Sequence, residues 1–163
     1  KHDPLTGLAN RLHFEGVLKA KLHQTKMADN LVALLYLDGY KFKSINDQYG
    51  HRAGDDVLIE TARSLSSLVV RNDDLLARLG GDEFAILISN IKLRHDLQTV
   101  IDKIISVMEP PIKLKSGEMI EFTLNIGGAI YPFHAEDMEM FTEAADKAMY
   151  IAKKGAKKYH IHT

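Results

Sequence analysis

The sequence has no cysteine. That excludes a disulfide framework, a thiolate nucleophile and a thiolate metal site, and it is compatible with a reducing cytosol. There is no excess of charge of either sign: 21 basic residues stand against 22 acidic ones, a formal net charge of −1. A surface that coats nucleic acid or an anionic membrane usually carries a basic excess, so the balance argues against both roles. No apolar run approaches the length of a membrane span, and no signal-peptide pattern is present. The expected location is cytoplasmic, whether as a free protein or as part of a membrane-anchored longer one. No internal repeat and no low-complexity tract appears. The Gly-x-Ser-x-Gly nucleophile elbow and the Walker-type Gly-x-x-x-x-Gly-Lys-Ser/Thr loop are both missing. The eight histidines are scattered without metal-ligand spacing, so each is read as solvated or structural.

What is there suits one globular domain. The 163 residues are 45% apolar and 26% charged, enough to bury a real core. The first residues are Lys1-His2-Asp3-Pro4, without an initiator Met, and residues 1–163 are expected to be a single domain excised from a longer multidomain chain.

Hydrophobic periodicity orders the chain. Asn10 caps an expected helix carrying Phe14, Val17, Leu18 and Leu22, which Asp29-Asn30 breaks. Leu31 to Leu37 is a continuous apolar run, the mark of a strand covered on both faces, and it ends at Asp38-Gly39. Phe42 and Ile45 are expected half-buried on a short helical segment. Residues 49–56 read as a loop leading into a helix with Val57, Leu58, Ala62, Leu65 and Val69 on one face. A helix follows over residues 94–108 and stops at Pro110-Pro111. Ile112-Lys113-Leu114 and Met119 onward form a hairpin around Ser116-Gly117. In its second arm Ile120, Phe122, Leu124 and Ile126 alternate with Glu121, Thr123 and Asn125, as in a half-buried strand. Gly127-Gly128 suggests a bulge or a close backbone approach. A last helix turns Phe141, Ala144, Ala145, Ala148, Met149 and Ala152 inward, with Gly155 as its cap and Tyr159-His160-Ile161 as an edge strand. The fold class is α/β, a mixed and mostly antiparallel central sheet flanked by helices.

The stretch that carries chemistry is Arg78-Leu79-Gly80-Gly81-Asp82-Glu83-Phe84, between two apolar runs. Two such runs around Gly-Gly-Asp read as a β-hairpin, because the turn needs positive φ. A glycine turn beside two carboxylates suits a metal-bound polyphosphate, with N–H groups for phosphate and carboxylates for a hard cation. The competing reading is an ordinary surface hairpin with solvated acids. If the hairpin pairs beside the first strand, Asp38, Asp82 and Glu83 converge at one end of the sheet and need a cation between them. Asp38 read alone serves equally as a helix cap. Asn46 and Asp55 read as a pair for a purine edge, or Asp55 as a helix N-cap or first-turn acid. Lys153, Lys154, Lys157 and Lys158 complement the end of the last helix or hold phosphates.

Together these residues resemble a GGDEF domain, the diguanylate cyclase family, along essentially the whole chain. The resemblance rests on Asp3-Pro4-Leu5-Thr6-Gly7-Leu8-Ala9-Asn10-Arg11, Phe42-Lys43-Ser44-Ile45-Asn46-Asp47 and Tyr49-Gly50-His51-Arg52-Ala53-Gly54-Asp55. It continues through Arg78 to Phe84, Asn125-Ile126-Gly127, and Ala145-Asp146-Lys147-Ala148-Met149-Tyr150-Ile151-Ala152-Lys153, in the family's order and spacing. It implies a fold related to nucleotidyl cyclase and polymerase palm domains. It implies that two GTP become cyclic di-GMP and two pyrophosphates, with one GTP on each of two domains that meet face to face.

The resemblance further implies a Mg²⁺ or Mn²⁺ cofactor held by Asp38, the carbonyl of Gly39, and Asp82. Glu83 matches the family's essential acid, in metal binding or proton transfer. Asn46 and Asp55 match the guanine-reading pair, Gly80 and Gly81 the phosphate-facing turn, and Lys43, Lys153 and Lys157 the phosphate contacts. Arg78 either braces the turn or contacts phosphate across the dimer. Arg71 and Asp74 fit the Arg-x-x-Asp site of product inhibition. The implied partners are GTP, cyclic di-GMP, a second such domain, and a sensor or phosphodiesterase domain in the same chain. The family's Asp-x-Asp-x-Phe-Lys appears here as Asp38-Gly39-Tyr40-Lys41-Phe42-Lys43, with Tyr40 at the second Asp. A gapped match would put Tyr36 at the metal position; the ungapped one keeps the spacing from Asp38 to Asn46 and Asp55. The alternative to an active cyclase is a module that binds GTP or cyclic di-GMP and regulates a neighbouring domain.

Overall fold

Residue 31 to residue 39 supply the central element. A computed structural model describes residues 1–27, 30–69 and 73–163, with Lys26 and Met27 as backbone alone. Helix α1 (Arg11–Met27) precedes β1 (Leu31–Gly39), followed by α2 (Phe42–Tyr49) and α3 (His51–Ser66). The hairpin β2 (Leu75–Gly80) and β3 (Glu83–Ile91) comes next, then α4 (Arg94–Val107), β4 (Ile112–Lys113) and β5 (Met119–Ile120). The chain closes with β6 (Leu124–Tyr131), α5 (Met138–Lys154) and β7 (Tyr159–Ile161).

The main sheet runs β2-β3-β1-β6-β7, antiparallel except for the β6–β7 pair. The expected fold class is therefore observed. β1 lies in the middle, which explains its uninterrupted apolar run. Ala33, Leu35 and Leu37 pack on one side with Val57, Leu58, Leu65, Leu97 and Ile101 of α3 and α4. Val32 and Leu34 pack on the other with Phe14, Leu18, Phe141 and Ala145 of α1 and α5. Asn10 caps α1 as expected, its Oδ1 accepting from the His13 N–H at 2.9 Å. Asp29 falls outside the described residues. Among the described residues, no helix is long and apolar enough to cross a membrane.

Three expectations are corrected. Residues 49–56 are not a loop: α2 ends at Tyr49, and α3 begins at His51. Gly50, at φ 92°, makes the whole connection, and its N–H closes α2 on the Asn46 carbonyl at 2.9 Å. Gly54 reads as a turn residue in sequence but lies inside α3. Asp55 is consequently not a helix cap. The second correction concerns residues 120–126. The alternation holds only through Leu124, where β6 begins, and every residue of β6 is buried. Helices cover both faces there, so Asn125 does not point to solvent as its pattern suggests. Thirdly, Ile45 is buried rather than half-buried, while Phe42 is half-buried.

Other expectations hold. β4 and β5 pair as a separate small hairpin. Gly127 is a close approach: a Cβ there would collide with the α5 backbone at Met149 N and Ala145 O. Gly155 is the residue after α5, although the left-handed residue of that turn is Ala156, at φ 55°.

Candidate active site

The last polar residue of β1 organises one end of the sheet. Asp38 is opposite Glu83 of β3 on one side and Asn125 of β6 on the other. Its side chain is buried, and α2 has Lys41 at its N-cap with no side-chain cap bond, so Asp38 is not a helix cap. The turn between β2 and β3 has Gly80 at φ 145° and Gly81 at φ 49°, the positive values its glycines are suited to. It folds Asp82 back over Gly39. The Gly39 N–H donates to the Asp82 carbonyl at 3.2 Å, and a Cβ on Gly39 would stand 2.7 Å from Asp82 Oδ2. A side chain at this position would have to displace both that carboxylate and the Phe122 ring, whose Cζ would stand 2.6 Å away.

Asp38 and Asp82 are electrostatically coupled. Burial raises the Asp82 carboxyl and the neighbouring Asp38 charge raises it further, to about 6, against the pull of Lys153. The Lys153 ammonium donates to Asp38 Oδ2 at 2.9 Å, and this bond holds its pKa above the usual value. A cationic group already stands where two carboxylates demand positive charge. Among the described residues, no group of three or more His, Cys, Asp or Glu side chains is placed to hold a metal. Two carboxylates and a backbone carbonyl match the sparse protein share of a Mg²⁺ site completed by substrate phosphates. Glu83 is the cross-strand partner of Asp38. Its carboxylate is half-exposed, 3.9 Å from the Arg11 guanidinium.

Tyr36 lies two residues below Asp38 and lines a small cleft with Arg11, Glu83 and Asp146. Burial pushes its phenol up to about 12, so it stays protonated at neutral pH and makes a poor metal ligand. The altered loop is well tied: the Tyr40 N–H donates to the Thr123 carbonyl at 2.9 Å. The Tyr40 ring is 46% exposed, with Lys41 Nζ 5.2 Å from its centroid.

The purine-reading candidates meet at the α2–α3 elbow. A Cβ on Gly54 would overlap Asn46 Oδ1, so the missing side chain of Gly54 is the space that Asn46 occupies. Asp55 follows directly, exposed beside a groove of about 600 Å³ lined by Leu5, Tyr49, Arg52, Leu114 and Ser116. Lys43 is exposed on the first turn of α2, and Lys157 is exposed in the turn after α5.

Arg78 braces the turn. Its Nε donates to the Gly81 carbonyl at 2.9 Å, and its Nη1 donates to both carboxylate oxygens of Asp3 at 3.0 and 3.2 Å. Asp3 in turn accepts from the Thr6 N–H and hydroxyl. The entry segment is thereby clamped to the hairpin. Arg71 lies outside the described residues. Asp74 Oδ1 accepts from the Ser89 N–H at 3.0 Å. Two residues near the site received no role from sequence: Arg11, beside Glu83, and Asn125, opposite Asp38. A polar residue inside the apolar stretch Leu124 to Ile126 was the available signal for the second.

Comparison with known proteins bears on this arrangement. The family model for the diguanylate cyclase GGDEF domain matches residues 1–158. The chain is 43% identical over 156 residues to diguanylate cyclase TpbB of Pseudomonas aeruginosa, covering 96% of this chain and 36% of TpbB. It is 40% identical over 152 residues to diguanylate cyclase DgcN of Escherichia coli, covering 93% and 36% of the two chains. It thus spans little more than a third of the length of these relatives. A solved structure of TpbB (YfiN) comprising only its GGDEF domain superposes with a TM-score of 0.96 at 41% identity, covering 100% of this chain and 95% of that one. With nearly its whole length matched, the chain belongs to the GGDEF domain family of diguanylate cyclases.

Proposed function

We propose that this domain condenses two GTP into cyclic di-GMP with release of two pyrophosphates, at the interface of two copies. The observation that carries the reading is the pair of buried Asp38 and half-buried Asp82, brought together at Gly39 with Lys153 as counter-charge. Their environment fits a hard dication, Mg²⁺ or Mn²⁺, with the Gly39 carbonyl as a further ligand. When bound, such an ion supplies charge stabilisation at the transferring phosphoryl group.

The chain's own groups do the rest. Asn46 and Asp55 read the guanine edge at the α2–α3 elbow. Gly80 and Gly81 let the backbone approach phosphate. Lys43, Lys153 and Lys157 neutralise the polyphosphate, and Lys153 exchanges its Asp38 contact for phosphate. For each new linkage, the 3′-oxygen of one nucleotide bonds to the α-phosphorus of the other, and the bond from that phosphorus to pyrophosphate breaks. Glu83, half-exposed at the mouth, takes the hydroxyl proton. Arg78 serves as a brace rather than a ligand. Product binds Arg71 and Asp74 as feedback. The domain works in the cytoplasm, under a sensor or phosphodiesterase domain of a longer chain.

A second reading has one observation in its favour, the exposed Tyr40 at the family's second acidic position. On that reading the domain binds nucleotide and regulates a neighbour without turnover. One experiment separates them. The domain is fused to a dimerising coiled coil and incubated with GTP and Mg²⁺, and products are resolved by chromatography. Cyclic di-GMP from the parent and none from Asp82→Ala supports the cyclase. GTP binding without product supports the regulatory module and overturns the proposal.

A further inference from the structure

Asn125 is a polar residue, the second of the fully buried strand β6. It is only 6% exposed, between Leu124 and Ile126. A buried amide is costly unless its groups are bonded. Asn125 satisfies one of its two amide donors: Nδ2 donates to the Lys157 carbonyl at 3.1 Å, while Oδ1 has no partner among the described residues. Packing alone would favour an apolar residue here.

What the Nδ2 bond holds is the turn after α5. That turn leaves the helix through Ala156 at φ 55°, a left-handed conformation unfavourable for alanine. The Lys157 N–H returns to the Ala152 carbonyl at 2.9 Å, and the Ile126 N–H takes the Lys158 carbonyl at 2.8 Å. The Asn125 bond thus falls between a helix-end bond and the first β6–β7 bond, at Lys157 itself. Its own position is set by the sheet, where it is the direct partner of Asp38. Opposed residues of an antiparallel pair project from the same face, about 5 Å apart at Cβ.

We propose that Asn125 is a positioning residue for the polyphosphate end of the nucleotide: it holds the Lys157 turn in register with Asp38. The inference rests on the reading of Lys157 as a phosphate contact and of Asp38 as a metal ligand. It gives the buried amide a role that core packing does not supply.

The test compares GMP with the α,β-methylene analogue of GTP, which cannot release pyrophosphate. Binding of each to the domain is measured by calorimetry with Mg²⁺ present. Asn125→Ala, and Asn125→Ser as a milder change, weaken the triphosphate analogue about tenfold, the size of one charge-assisted contact, and leave GMP unchanged. In a Lys157→Ala background, Asn125→Ala produces no further loss. Leu124→Ala, on the opposite face of the same strand, lowers the unfolding midpoint without any preference between the two ligands. Equal losses for GMP and the triphosphate, full additivity with Lys157→Ala, or no loss would overturn the role assigned to Asn125. A parent domain that discriminates neither guanine nor phosphate would overturn the underlying nucleotide reading as well.

Discussion

Gly54→Ala separates recognition from folding more cleanly than removal of a charged residue. Gly54 lies inside α3, where alanine is intrinsically better by about 1 kcal/mol. The added methyl would overlap Asn46 Oδ1 and stand 3.2 Å from Phe42 Cζ. Asn46 Oδ1 is the far end of a side chain that can rotate away, so the fold tolerates the change. The proposed guanine site should not, because the displaced amide would lose the bonds to the base assigned to it. Two neutral hydrogen bonds at about 1 kcal/mol each correspond to roughly 30-fold weaker GTP binding. The thermal midpoint should stay level or rise by about 2–4 °C, as expected for roughly 1 kcal/mol in a domain of this size. Calorimetry with the α,β-methylene analogue gives the affinity, and differential scanning calorimetry gives the midpoint. Discrimination against the adenine analogue should shrink in parallel. Binding within about twofold of the parent, with base discrimination intact, would refute the role given to Asn46 and the space at Gly54.

Two further predictions concern the scaffold. Burial alone would raise the Asp3 carboxyl, but hydrogen bonds from Thr6 and the Arg78 guanidinium outweigh it and hold its pKa below 3.8. A carboxylate depressed on folding stabilises above its unfolded pKa, and that stabilisation is lost as the pH falls through the folded value. Asp3→Asn should therefore cost about 2 kcal/mol near neutrality, and the difference from the parent should close in acid, as read by urea unfolding at about pH 7 and about pH 2. A pH-independent difference would contradict the ion pair as its source. Gly127→Ala forces a methyl into the α5 backbone, which cannot swing aside as a side chain does. It should destabilise the domain by about 3 kcal/mol or more in urea unfolding; a loss below about 1 kcal/mol would show that α5 shifts freely on the sheet.

Much of the site was legible because its residues end strong patterns. Asp38 closes a buried apolar run, and Asp82 follows two glycines between two strands. Their convergence needed the pairing of β3 beside β1, which the sequence left as a condition and the sheet supplies. Other features depend on tertiary contacts that no local pattern carries. Gly50 and Gly54 look alike in sequence, yet one breaks a helix and the other makes room for Asn46 within one. Arg78 left two roles open because its partner Asp3 is 75 residues away. Asn125 matched a half-buried alternation, which failed because α5 covers the face on which it stands. Tyr36 and Asp38 were both candidates for one position, and only the spacing from Asp38 to Asn46 and Asp55 spoke for one of them in the sequence.

The central claim is that each domain brings one GTP and that two must meet. Its most direct measurement is turnover of the unfused domain against its own concentration, with excess GTP and Mg²⁺ and the product identified by mass. The account predicts cyclic di-GMP, with specific activity per domain rising in proportion to concentration while monomer predominates. Specific activity independent of concentration while monomer predominates, or no cyclic di-GMP at concentrations where the domain is dimeric and GTP is bound, would contradict it.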